Sequence, residues 1–115
     1  MRMLRYPAAL ALTLAVEIPV YAAALRWGWA APVRRALLGA LGVNLATHPL
    51  LWWLLVPWTG REAYPLVLVF AELLVCGAEA ALLAWWLGRR DPLLAVLAVA
   101  ANAASVLAGF IFASV

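Results

Sequence analysis

Glu17, Glu72 and Glu79 stand inside long apolar runs of this 115-residue chain, and so does His48, its only histidine. A charged side chain at mid-bilayer costs at least ~2.5–3.5 kcal/mol on insertion scales, so such residues turn toward a bundle interior and mark function. Their spacing groups them with other polar residues. Thr13, Glu17 and Tyr21 follow i, i+4, i+8 and share one helical face. Asn44 and His48 are again one turn apart, with Thr47 beside them. Pro49 comes next and removes the helical donor that the Leu45 carbonyl would otherwise receive. Glu72, Cys76 and Glu79 fall at i, i+4, i+7, which puts both carboxyls on one stripe. Ala98, Asn102, Ser105 and Gly109 form a small, polar face suited to close helix packing.

Three carboxyls and one neutral imidazole cannot all stay ionised and unpaired in hydrocarbon. They must hold protons, share them with His48 or take up a cation. The expected ion- or proton-binding set is Glu17, His48, Glu72 and Glu79, with Asn44, Asn102, Ser105, Thr47 and Tyr21 as supporting polar groups. Imidazole with carboxylate suits Zn, Mn or Fe, so a divalent metal ion on His48, Glu72, Glu79 and Glu17 is the alternative to protons. Cys76 has no second cysteine to pair with and reads as a small buried hydrophobe. The sequence has no Gly-rich phosphate loop, nucleophile elbow, HExxH motif or Glu-x-x-His pair.

The elements that must position these residues follow from composition. Hydrophobic residues make up 70% of the chain and charged ones 11%, against roughly 25% charged in a soluble domain. The mean hydropathy of +1.05 agrees. A soluble globular fold is excluded, and the environment is the lipid bilayer. All eight basic residues are arginine, and they punctuate the apolar runs instead of forming a stripe. The net charge of +3 therefore points to membrane flanks and not to nucleic acid.

A spanning helix needs about 20 mostly apolar residues, and four stretches supply them: Tyr6 to Leu25, Ala36 to Val56, Leu66 to Leu87, and Leu93 to about residue 113. Pro32, Pro57, Pro65 and Pro92 fall near the boundaries, where proline can start or stop a helix. Trp27, Trp29, Trp58, Trp85 and Trp86, with Tyr6 and Tyr64, lie near segment ends, where aromatic belts form. The expectation is an all-α polytopic membrane protein, a single domain of four antiparallel helices joined by short loops. The first span is expected to be retained, because Glu17 and Pro19 interrupt what would otherwise resemble a cleaved signal sequence. Arg26, Arg34, Arg35, Arg89 and Arg90 flank loops one and three, against Arg2, Arg5 and Arg61 on the other side. That bias favours cytoplasmic loops one and three and both termini on the outer side of the membrane, the plasma or inner membrane in a bacterium.

Counting ~1.5 Å per residue from each span's midpoint sorts the polar residues into two layers. Glu17, Asn44, Glu79 and Asn102 fall within about 5 Å of the midplane on the loop-one side. Thr13, His48, Glu72 and Ser105 fall within about 6 Å on the other. Every helix contributes to both layers, so the polar faces are expected to converge on one central site.

The length, the four spans and the membrane-embedded Glu17 resemble the small multidrug resistance transporters in architecture. Those centre on one essential glutamate, whereas Glu17 here is joined by Glu72, Glu79 and His48, and the family's glycine-rich third helix around a central tryptophan is not present. The resemblance implies the four-helix fold, and no residue role is carried across. The leading expectation is a cation-handling protein that transports or couples protons or ions, acting as a homo-oligomer. One alternative is an accessory subunit partnering another membrane protein. The other is an intramembrane enzyme acting on a lipid or isoprenoid, with His48 and a carboxylate as acid and base.

Overall fold

The computed structural model describes residues 6–114; Arg2 and Arg5 of the basic N-terminal stretch lie outside them. Four helices account for nearly all of the described chain: α1 Tyr6–Trp27, α2 Val33–Leu55, α3 Tyr64–Leu87 and α4 Leu93–Ser114. Each is long and apolar enough to cross a membrane. The bundle is 42 Å long, close to the ~40–45 Å of a bilayer with its headgroups.

Helix ends follow local chemistry. Pro32 has φ −57° and ψ 147°, and its carbonyl accepts from Ala36 N, so α2 opens at Val33 and takes Arg34 and Arg35 into its first turn. That start lies three residues ahead of the expected one, because the arginines, thought to precede the helix, are helical. Pro57 lacks an N–H, and the chain tightens into a short 3₁₀ turn over Val56–Trp58. Pro65 sits in the first turn of α3, where its missing donor is harmless. Gly88 adopts φ 67° after α3, while Gly88 N donates to Trp85 O and Arg89 N to Ala84 O. This Schellman closure needs a left-handed residue, hence glycine. Pro19 and Pro49 are absorbed within α1 and α2, which continue past them.

Each helix packs against two neighbours in cyclic order: α1 on α2 and α4, and α3 on α2 and α4. Their shared interior is built from small residues, Ala36, Ala40, Ala98 and Ala101, around Tyr21, Leu25, Leu83 and Leu94. Small side chains let backbones approach closely where lipid supplies no hydrophobic drive for association. The outer surface is apolar, with Leu37, Leu45, Leu73, Leu74, Val96, Leu107 and Ile111 exposed. Polar residues instead occupy the inside: Glu17, Asn44, Thr47, His48, Glu79 and Asn102 are all buried. This is the inverse of a soluble bundle and marks a multi-pass integral membrane protein.

The two short loops, 28–32 and 88–92, are tied together. Trp29 Nε1 donates to Asp91 Oδ2 at 2.9 Å, and Asp91 Oδ1 accepts from Leu93 N at 2.9 Å. Asp91 thus caps α4 and anchors loop one at once. Trp29, expected as a belt residue, is half-buried by that bond. Asp91→Ala should lower stability by about 1–2 kcal/mol, read as an earlier thermal unfolding midpoint in detergent, and Asp91→Asn should restore much of the loss.

Candidate functional site

The centre of the bundle is a carboxyl group. Glu79 is 1% exposed, and a side chain from each of the other helices reaches it. Tyr21 Oη on α1 donates to Oε1 at 2.5 Å, and Asn102 Nδ2 on α4 donates to the same oxygen at 2.7 Å. Thr47 Oγ1 on α2 lies 2.5 Å from Oε2. All four helices are therefore pinned by one residue. The partners are themselves anchored: Asn102 gives its second N–H to Ala98 O at 2.8 Å, and Thr47 Oγ1 lies 2.9 Å from Val43 O. Each of these is a bond one turn back along its own helix.

A second buried acid lies alongside. Glu17 is also 1% exposed, and its Oε2 meets Ser105 Oγ at 2.5 Å. Ser105 Oγ is in turn 3.0 Å from Asn102 O. Asn102 therefore touches both acids, Glu79 directly and Glu17 through Ser105. Glu17 Oε1 and Glu72 Oε2 are buried with no hydrogen-bond partner. All three carboxyls lie within charge–charge range of one another, Glu17 with Glu72 and Glu79, and Glu72 with Glu79. The i, i+4, i+7 stripe on α3 thus faces the interior, with Cys76 between its two acids and its Sγ 3.7 Å from Ala98 O.

The expected residues are distributed unevenly. Tyr21, Thr47 and Asn102, ranked as supporting groups, are the direct partners of Glu79. Asn44 is buried but gives its amide to Ala40 O on its own helix at 2.8 Å, and not to an acid. Ser105, placed by depth in the layer opposite Glu17, bonds it directly. His48 is buried on α2 beside Thr47, and the bonds to Glu79 run through Thr47. Thr13 is half-buried on α1. Among the described residues no group of three or more His, Cys, Asp or Glu side chains is arranged to hold a metal ion.

The donors around Glu79 decide what it can tolerate. Placing a carboxylate at mid-bilayer costs at least ~2.5–3.5 kcal/mol. Hydrogen bonds offset part of that cost, and Glu79 has three partners for them. Glu17 has one hydroxyl neighbour and a bare oxygen.

A conservative change at Glu79 should be tolerated where an apolar one is not. Glu79→Gln keeps an oxygen for Tyr21 and Asn102, and its amide can donate to Thr47. Glu79→Leu strands those groups, at about 1–3 kcal/mol for each one left buried and unsatisfied. Thermal unfolding in detergent should rank wild type and Glu79→Gln together, Tyr21→Phe slightly lower and Glu79→Leu lowest. Comparison with protein-family models, curated proteins and solved structures finds no match to this chain.

Proposed function

We propose that this membrane protein handles protons, with Glu79 as the group that gains and loses one. Glu17, Glu72 and His48 complete the titratable set, and Tyr21, Thr47, Asn102 and Ser105 orient it. The observation that carries this reading is the convergence of all four helices on one buried carboxyl, through two hydroxyls and one amide.

A threonine or serine hydroxyl has one proton and two acceptor lone pairs. Thr47 Oγ1 sits between Glu79 Oε2 and Val43 O, and a backbone carbonyl only accepts. With Glu79 ionised, Thr47 donates to it. With Glu79 protonated at Oε2, the acid donates to Thr47, whose own proton turns to Val43 O. The same heavy-atom arrangement accepts both proton counts. Ser105 offers the same choice between Glu17 Oε2 and Asn102 O. A protonated Glu17 donates to Ser105, which then donates to Asn102 O.

This double accommodation suits a proton better than a divalent ion. A metal at Glu79 would need its oxygens bare, whereas both already have protein partners. Coupling the proton to a second solute would use an assembly of more than one copy, since the monomer's interior is filled by the helices and their polar contacts.

In proteoliposomes loaded with a pH-sensitive dye, an imposed pH gradient should drive proton movement in the wild type, and Glu79→Gln should abolish it with the fold intact. Thr47→Val should slow it by about tenfold, the equivalent of one lost hydrogen bond. Wild-type flux in Glu79→Gln would overturn the assignment.

A further inference from the structure

A groove of about 220 Å³ opens to the outside between α2 and α3, floored by Gly39, Gly42 and Ala46 and walled by Leu82, Trp85 and Trp86. It exists because α2 carries no side chain at its two glycines. A Cβ at Gly39 would meet the Trp86 ring at 2.8 Å, whereas one at Gly42 would meet nothing within 4 Å. Trp86 therefore closes the groove at Gly39, and the space beneath is open. From Gly39 to Ala46 it runs about 10 Å along the helix, the depth of a stretch of acyl chain.

The mouth is basic. Arg35, one turn above Gly39, stacks its guanidinium 4.7 Å from the Trp86 ring centroid and donates to Trp86 O. Trp86 Nε1 returns a bond to Arg35 O at 2.9 Å. Arg34, Arg89 and Arg90 stand exposed at the same end. That end of the bundle carries five arginines, Arg26, Arg34, Arg35, Arg89 and Arg90, against one acid. The acid, Asp91, is already committed to Trp29 and Leu93.

We propose that this groove holds an acyl chain of an anionic phospholipid, whose phosphate is bound by Arg35, Arg89 and Arg90 at its mouth. The apolar walls match the chain, and the arginine excess matches the headgroup, to which guanidinium offers paired donors. A second copy in the same orientation fits worse, since it would set five arginines against five.

The test titrates the full-length protein in detergent with dioleoyl phosphatidylglycerol and dioleoyl phosphatidylcholine, which share chains and differ in headgroup charge. Bound lipid is counted by native mass spectrometry. Phosphatidylglycerol should be preferred, and Arg89→Gln and Arg90→Gln should each reduce that preference about fivefold. Gly42→Leu, which fills open space, should reduce binding of both lipids, with helicity and thermal midpoint confirming its fold. Equal binding of the two lipids would overturn the proposal, as would a preference that survives the double arginine variant. Wild-type binding by Gly42→Leu would also overturn it. So would a wild-type dimer that Gly42→Leu splits without loss of lipid, which would give the groove to a second copy.

Discussion

An acid buried in hydrocarbon cannot borrow water, and the partners it takes from the protein fix the fold around it. Glu79 draws one donor from each of three other helices, and those bonds constrain rotation as well as distance. A helix turned by one residue, about 100°, would carry Tyr21, Thr47 or Asn102 away from the centre. Apolar faces alone set no such register, because the lipid-facing and core-facing sides of these helices are similarly hydrophobic. The polar centre is thus what distinguishes inside from outside in this molecule.

The rest of the architecture serves that demand for proximity. Alanines at 36, 40, 98 and 101 keep side chains out of the way, so short polar groups can reach across helix pairs. The tie between Trp29 and Asp91 holds the two loops at one end, limiting how far α1 and α4 can slide. At the same end Arg35 and Trp86 lock α2 to α3 through reciprocal side-chain-to-backbone bonds. The opposite connection turns through a 3₁₀ segment at Pro57, held by backbone bonds from Thr59 N to Val56 O, Arg61 N to Trp58 O and Tyr64 N to Arg61 O, with Arg61 near the Trp58 ring.

Most of the fold could be read before any coordinates. The length of an apolar run is a direct consequence of bilayer thickness, so the four spans lie within three residues of their observed limits. The candidate polar faces were legible too, because i, i+4 spacing survives in any regular helix: the Glu72–Cys76–Glu79 stripe turns inward as its period requires. The pairings were not legible. Counting residues gives depth along an axis but neither rotation nor relative slide, so Ser105 fell in the layer opposite its partner Glu17. Asn44 read as a cross-helix donor, yet an amide one turn beyond a carbonyl on its own helix can be satisfied locally. Asp91 gave no signal beyond its position before α4, since its second role depends on a tryptophan 62 residues away.

Asn102 has a consequence that concerns measurement. Its amide touches one buried acid and its carbonyl reaches the other through Ser105. A change at either acid alters the bonds of the hydroxyl or amide that links it to Asn102, and so reaches the other. Residues joined in one hydrogen-bond network do not contribute independently. Substitutions at Glu17 and Glu79 measured one at a time would therefore not add up to the effect of the pair.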